Sequence, residues 1–234
     1  MGATQTTPAA ALERPMLGKT FPSFRAKCTI TETTPDGEID WHQFIEGSWA
    51  ILFSHPAAFT PICTTELGAV AGLKAELEKR GVKACGFSCD SVENDAGWIT
   101  DIETYSGNQI TFPIIADQER DLAVALGMLD ESDKNAVGLA MPVRAVFIIG
   151  PDKKLKLMIL YPATTGRNMD ELLRVLDSLM LTAEFAVATP ANWKAGEDCF
   201  LTPKAAPENF SKGVNIVPVP SGKSYLKQTP DPTA

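Results

Sequence analysis

The chain alternates between unbroken apolar runs of strand length and stretches in which apolar residues recur at helical spacing. Residues 49–54, Trp-Ala-Ile-Leu-Phe-Ser, suit a strand buried on both faces and ending near His55. A breaker-rich turn follows over 56–63, and Leu67, Val70, Leu73 and Leu77 then recur at helical spacing until Lys79, Arg80 and Gly81 close the helix. Cys63 is thereby placed in that helix's first turn. Residues 82–89 predict the next strand, and Asp90-Ser91-Val92-Glu93 has capping-box character ahead of a helix reaching Tyr105. A short strand over 112–116 and a short helix over 118–126, ended by Gly127, continue the alternation. Residues 144–149 and 155–160 form two apolar strands joined by Gly150-Pro151-Asp152-Lys153-Lys154, which predicts an antiparallel hairpin. An amphipathic helix over 168–186, with Met169, Leu172, Leu173, Leu176 and Leu179 on its apolar side, closes the main domain. Seven of the 17 prolines fall from Pro190 onward, so the rest is an irregular unit with short strands. The pattern is that of an α/β protein with a leader at 1–15, a main domain at 16–186 and a C-terminal extension at 187–234.

Composition narrows the partners. With 44% hydrophobic and 21% charged residues the chain can bury a sizeable core. The 29 acidic and 21 basic residues leave a net charge of -8, which disfavours nucleic acid and anionic membrane surfaces. No apolar run approaches the about 20 residues needed to cross a bilayer, so stable membrane insertion is not expected. The N-terminus has neither the basic start nor the apolar stretch of a secretory signal, and the expected compartment is the cytoplasm. It matches the short myristoylation pattern through Gly2 and Thr6, but no basic cluster supplies a second membrane signal, and the alternative is a disordered leader. The five cysteines, Cys28, Cys63, Cys85, Cys89 and Cys199, form an odd set without Cys-x-x-Cys. Neither a disulfide framework nor a zinc knuckle follows, and at least one thiol stays free.

Among these cysteines the placing of Cys63 carries chemistry. A thiol attacks only as thiolate, and the unpaired amides and dipole at a helix start favour that anion. Thr60, on the approaching turn, could offer its hydroxyl to a small oxygen substrate in the same space, while Pro56 and Pro61 would fix the turn and limit water access. The competing account is a buried cysteine beside a structural turn.

The string Pro56-Ala57-Ala58-Phe59-Thr60-Pro61-Ile62-Cys63 resembles the peroxiredoxin active-site pattern Pro-x-x-x-Thr/Ser-x-x-Cys. Further strings resemble the single-cysteine, or 1-Cys, group of that family: Ile51-Leu52-Phe53-Ser54-His55-Pro56, Phe59-Thr60-Pro61-Ile62-Cys63-Thr64-Thr65-Glu66-Leu67, Gly150-Pro151-Asp152-Lys153-Lys154-Leu155-Lys156-Leu157 and Leu160-Tyr161-Pro162-Ala163-Thr164-Thr165-Gly166-Arg167-Asn168. The likeness runs from about Gly18 to about Tyr225. It implies a thioredoxin-like fold, a central mixed sheet flanked by helices, with a peroxidatic thiolate at Cys63. Thr60 would be its hydroxyl partner, Pro56 its shield and Arg144 its cationic stabiliser, a role that a permanently charged guanidinium with fixed donors suits. His55 would hydrogen-bond near the sulfur, Glu66 would orient Arg144, and Arg167 would support the carboxylate; the alternatives for His55 and Glu66 are a strand-end histidine and a first-turn acid.

The implied reaction reduces hydrogen peroxide or an organic hydroperoxide, lipid hydroperoxides included, and leaves a cysteine sulfenic acid that a thiol must reduce. No metal, flavin or haem is required. Two-cysteine relatives carry a resolving thiol in a Val-Cys-Pro string where this chain has Ala188-Thr189-Pro190. An external thiol such as glutathione, delivered by a glutathione transferase, is therefore implied, together with a homodimer or larger homo-oligomer. Cys85 and Cys89, four apart on one predicted strand face, read as core filling, Cys28 likewise, and Cys199 as an apolar contact or a thiol able to reach a neighbour.

Some members of the group are also described as phospholipases, with a Gly-x-Ser-x-Gly string. Here the matching stretch is Glu46-Gly47-Ser48-Trp49-Ala50, in which both flanking glycines are replaced while Ser48, His42 and Asp152 remain. Loss of the glycines that permit a tight nucleophile turn weakens this reading. A non-enzymatic holdase is the third reading, and the intact Thr60, Cys63 and Arg144 set argues against it.

Overall fold

In the computed structural model, residues 12–134 and 141–234 are described, and they fall into two compact units, one ending at Arg167 and the other spanning Asn168–Ala234. Gly2 and most of the leader lie outside the described residues.

The first unit begins with an antiparallel ribbon of β1 (Arg25–Lys27) and β2 (Glu38–Asp40), then α1 (Trp41–Phe44) and β3 (Trp49–Ser54). There follow α2 (Pro61–Gly72), α3 (Lys74–Lys79), β4 (Val82–Ser88), α4 (Val92–Ser106), β5 (Ile114–Ala116) and α5 (Asp121–Ala125). The hairpin of β6 (Arg144–Ile149) and β7 (Leu155–Tyr161) completes it. The five-stranded sheet has the order β5-β4-β3-β6-β7, with β3, β4 and β5 parallel and β6 and β7 antiparallel to their neighbours. This is the mixed, thioredoxin-like sheet that the resemblance implied. Every residue of β3 and β6 is buried, as their unbroken apolar runs require.

On one side of the sheet Leu52, Cys85, Phe87 and Phe147 pack with Phe21, Phe24 and Trp41. The Phe24 and Trp41 rings stack with centroids 5.7 Å apart, and Phe21 meets Phe147 at 5.3 Å. Thus residues 21–45, which have no clear period, contribute aromatic side chains to the core.

Local chemistry shifts several predicted boundaries. The helix expected up to Gly81 breaks at Leu73, which ends α2 and starts α3 with φ -84° and ψ 3°. At Gly68 an added Cβ would lie 2.6 Å from the Ser106 Cβ, so this glycine sets how closely α2 and α4 approach. Ser91 caps α4 by accepting from the Asn94 amide, and Gly107 ends it in the left-handed region at φ 71°. The helix expected over 118–126 shortens to α5 because Arg120 is left-handed at φ 61°. Cys89 falls just beyond β4 and is half-buried, yet it packs against the same core cluster that holds the fully buried Cys85, so both cysteines fill the core as expected.

The second unit holds α6 (Met169–Glu184), capped by the Asn168 side-chain Oδ1, which accepts from the Asp170 and Glu171 amides, and a small antiparallel sheet. That sheet has the order β10-β11-β9-β8, built from β8 (Val187–Ala188), β9 (Cys199–Leu201), β10 (Asn215–Ile216) and β11 (Lys227–Thr229). Its core is Leu181, Val187, Trp193 and Cys199. The helix expected to close the main domain therefore groups with the C-terminal residues: Leu181 packs into their core, and Ser178 shares a 2.6 Å hydrogen bond with Thr189. Among the described residues no helix is long and apolar enough to cross a membrane.

Candidate active site

The turn after β3 delivers Cys63 to the first turn of α2. Phe59 adopts a left-handed conformation at φ 54°, unusual for an aromatic residue, and reverses the chain. Thr60 then takes the N-cap position with Pro61 at N1, where a missing amide hydrogen costs nothing. The Thr60 hydroxyl donates to the Ala57 carbonyl at 2.9 Å, which closes the turn on itself. Its lone pairs remain for a donor on substrate, but this internal bond, rather than a contact with the sulfur, is what the fold gives it. Pro56 is buried.

Cys63 is fully buried, and its Sγ accepts from Arg144 Nη1 at 3.3 Å. Arg144 opens β6 and is also buried, so it is no strand-edge surface charge. Its Nε and Nη2 both donate to the Ala163 carbonyl, at 2.9 and 2.8 Å, and Nη1 donates to Glu66 Oε2 at 2.5 Å as well as to the sulfur. Glu66 lies three residues after Cys63 on α2, with both side chains turned inward.

Arg167 completes the cluster. It holds Glu66 through Nε to Oε1 at 2.9 Å, Nη2 to Oε2 at 2.8 Å and its backbone amide to Oε1 at 2.8 Å. Its Nη1 donates to the Ser54 and Ala145 carbonyls at 2.9 and 3.0 Å, and its guanidinium lies 5.4 Å from the Phe53 ring centre. Burial pulls the Arg167 guanidinium below its usual value, and the charge of Glu66 opposes that pull. Ser54 ties the strands beneath the cluster: its hydroxyl donates to the Val143 carbonyl at 2.5 Å and accepts from the Ala145 amide at 2.9 Å. Ser54 lies within the Ile51 to Pro56 string that resembles the 1-Cys group, but nothing in that string distinguished its role from that of its neighbours.

Two guanidiniums and one carboxylate leave one net positive charge in a dry site while Cys63 is a thiol. That charge is carried by Arg144, whose Nη1 faces the Cys63 sulfur.

His55 departs from expectation. Its ring faces Asp95, Nε2 to Oδ1 3.9 Å, and Trp98, ring centres 5.3 Å apart, and neither ring nitrogen has a hydrogen-bond partner among the described residues, the Cys63 sulfur included. The chain direction at the end of β3, fixed by the His55 amide donating to the Phe87 carbonyl at 2.9 Å, turns the ring toward α4.

The proposed lipase set is not a hydrogen-bonded triad. The Ser48 hydroxyl donates to the Glu46 carbonyl at 3.4 Å, His42 Nε2 contacts the Phe21 carbonyl at 2.7 Å, and Asp152 accepts from Lys156 Nζ at 2.8 Å and the Lys154 amide at 3.2 Å. With Gly47 the left-handed residue at φ 66°, the tight turn precedes Ser48, which bonds locally instead of facing a base.

The comparisons with known proteins point the same way as this thiol and guanidinium arrangement on a mixed sheet. Residues 17–158 match the AhpC/TSA family, and residues 178–213 match the C-terminal domain of 1-Cys peroxiredoxin. The chain is 52% identical over 225 residues to Peroxiredoxin-6 of Rattus norvegicus, a match covering 93% of this chain and 98% of the relative. Peroxiredoxin 6 of Arenicola marina, a solved structure, superposes with a TM-score of 0.84 at 48% identity, covering 94% of this chain and 99% of its own. A yeast mitochondrial 1-Cys peroxiredoxin, whose structure addresses thiol resolution through glutathione and thioredoxin systems, superposes with a TM-score of 0.79 at 37% identity, covering 92% and 99%. The chain belongs to the peroxiredoxin family, within its 1-Cys group, and is a thiol-dependent peroxidase.

Proposed function

We propose that Cys63 is the peroxidatic residue and that an external thiol, glutathione, completes each turnover. The observation that carries this reading is the 3.3 Å contact from Arg144 Nη1 to the Cys63 sulfur inside a buried cluster of two guanidiniums and one carboxylate. The thiolate attacks one peroxide oxygen, the O–O bond breaks, and the other oxygen takes a proton and leaves as water or an alcohol. Arg144 faces the charge that develops on the separating oxygens. Cys63 is then a sulfenic acid. One thiol condenses with it, releasing water and forming a mixed disulfide, and a second thiol displaces Cys63 as thiolate. Phe59, 57% exposed, and Ile62, 38% exposed, give the turn an apolar rim that favours organic hydroperoxides beside hydrogen peroxide.

The other cysteines support an external reductant. Burial pushes the Cys89 thiol up to about 12 and the Cys199 thiol to about 11, and raises Cys28 and Cys85 as well. Each is thus a poor thiolate, and Thr189 stands where two-cysteine relatives place their resolving residue. The yeast relative's link to glutathione and thioredoxin systems favours the same route, with a glutathione transferase as the proposed carrier. Five free thiols suit the cytoplasm as compartment.

The proposed assembly is a homodimer through β7, a terminal strand whose Met158 and Leu160 are 46% and 50% exposed. An apolar strand edge of this kind invites pairing with a second copy. Replacing both residues by Glu should give a monomer by light scattering, and an unchanged dimer would reject this interface.

The central test is turnover coupled to glutathione and glutathione reductase. Cys63→Ser should lose it, whereas Cys89→Ser should retain it. Turnover by Cys63→Ser comparable to wild type would overturn the assignment.

A further inference from the structure

His55 and Asp95 are both fully buried and face one another with Nε2 3.9 Å from Oδ1. Both ring nitrogens of His55 and Oδ1 of Asp95 are without a hydrogen-bond partner among the described residues. Three unpaired polar atoms in one dry pocket are costly, because each has given up water without a replacement. A proton on Nε2 directed at Oδ1 relieves two of them at once. The side chains need to approach by only about 1 Å to reach ordinary hydrogen-bond length.

The rest of Asp95 is already fixed. Its Oδ2 accepts from the Ser88 hydroxyl at 2.7 Å, and that hydroxyl accepts from the Asp90 amide at 3.1 Å. The groups around the carboxylate are His55 from the end of β3, Ser88 from the end of β4, and Cys89 and Asp90 from the following turn. Burial raises the Asp95 carboxyl, and the facing His55 ring draws it back.

What joins this pair to the reacting sulfur is the turn itself. His55 immediately precedes Pro56; the Ala58 amide donates to Asp90 Oδ2 at 2.7 Å, and Thr60 donates to the Ala57 carbonyl. Trp98, one turn beyond Asp95, lies against the His55 ring and donates Nε1 to Thr64 Oγ1 at 3.2 Å. Thr64 Oγ1 in turn donates to the Thr60 carbonyl at 2.8 Å, in the first turn of α2. The His55 ring is therefore wedged between α4 and the segment that presents Cys63.

We propose that Asp95 is a positioning residue for the peroxidase reaction: its carboxylate holds the His55 ring with a proton on Nε2, and the held ring fixes the turn that presents Cys63. This inference rests on Cys63 being the peroxidatic residue. Asp95 touches no reacting atom and acts only through His55.

The chain has only 2 histidines, so ring 15N spectra of the labelled full-length protein report on the pair directly. Spectra and kcat/KM for hydrogen peroxide are measured across about pH 6 to 8 for wild type, Asp95→Asn and Asp101→Asn, an exposed site on the same helix. In wild type the His55 ring should carry a proton on Nε2, the nitrogen that faces Asp95 Oδ1. Asp95→Asn should move the His55 ring signals, leave those of His42 in place, and lower kcat/KM by about 10-fold, the cost of a misplaced reacting group. Asp101→Asn should change neither. Identical His55 signals in wild type and Asp95→Asn, or no loss of kcat/KM in a folded Asp95→Asn, would overturn the proposal. Should that variant not fold, a wild-type His55 without a proton on Nε2 overturns it equally. Absence of turnover in wild type would instead reject the peroxidase assignment, and the ring spectra would still judge the pair.

Discussion

Arg167 and Glu66 meet through two parallel bonds, Nε to Oε1 at 2.9 Å and Nη2 to Oε2 at 2.8 Å, in a site closed to solvent. The fork uses most of the carboxylate's capacity and cancels one of the two buried guanidinium charges. What remains is the charge of Arg144, which Glu66 Oε2 also holds in place and which faces the Cys63 sulfur. A single carboxylate thus assigns different duties to two arginines: Arg167 clamps it to the strand ends, and Arg144 is left to the thiol.

The first prediction is that Arg144→Lys fails as a conservative change. Arg144 satisfies the Ala163 carbonyl, Glu66 and the sulfur with three different nitrogens, and one ammonium cannot reach all three in that geometry. Loss of a charge-assisted hydrogen bond is worth about 1.5–3 kcal/mol, so kcat/KM for hydrogen peroxide should fall by about 10- to 100-fold in stopped-flow measurements. Arg144→Lys at wild-type rates would show that charge alone suffices.

Glu66→Gln separates stability from reactivity. Removing the carboxylate leaves two buried guanidiniums facing each other, and breaking such a buried ionic group costs about 3–5 kcal/mol in urea unfolding. The net positive charge facing the sulfur rises, but Arg144 Nη1 loses the oxygen that holds it beside the sulfur. Misplacement by even 1 Å can cost about 100-fold, so positioning outweighs charge and turnover should fall. A faster enzyme would show that electrostatics prevails.

The strands that carry this site were legible because β3 and β6 are continuous apolar runs, a pattern that burial on both faces leaves in the residues themselves. The Pro56 to Cys63 turn was legible because the whole string resembles the peroxiredoxin active-site pattern; the helix-start position of Cys63 alone left a buried structural cysteine as the competing account. The full role of Arg167 was not, since three of its five bonds end on Glu66, one of them from its own backbone amide, and the remaining two end on the Ser54 and Ala145 carbonyls. Every residue has a carbonyl, so such partners leave no trace in side-chain types. The β1 and β2 ribbon, three residues to a strand, is too short to show alternation. The grouping of α6 depended on contacts of Leu181 with residues beyond Val187, which periodicity within the helix does not report.

Asp117 should make the fold less stable as pH rises. Burial raises its carboxyl above the ordinary value of 3.8, although Oδ2 accepts from the Ala123 amide at 2.7 Å. An acid whose folded value is raised binds its proton more tightly in the folded state. Its contribution is therefore full below the unfolded value and is lost as pH climbs through the raised folded value. Asp117→Asn keeps an acceptor for Ala123 without the charge. Urea unfolding should show the variant gaining on wild type as pH rises above the ordinary carboxylate value, with the difference shrinking below it. A pH-independent difference would remove ionisation as the cause.

Resolution without an internal disulfide is the last expectation. Thr189 shares its hydroxyl with Ser178 at 2.6 Å and offers no sulfur, while burial keeps Cys199 protonated with a thiol value of about 11. After one equivalent of peroxide, non-reducing electrophoresis should show no covalent dimer, and mass measurement should find a sulfenic adduct at Cys63. Excess peroxide should carry the same residue to the sulfinic and sulfonic acids, since no neighbouring thiolate intercepts it. Glutathione should form a mixed disulfide at Cys63 and protect it from that loss. A stoichiometric Cys63 to Cys199 link, within one chain or between two, would reverse the conclusion: the buried thiol would have to become exposed during turnover, and the reductant would act on a disulfide instead of a sulfenic acid.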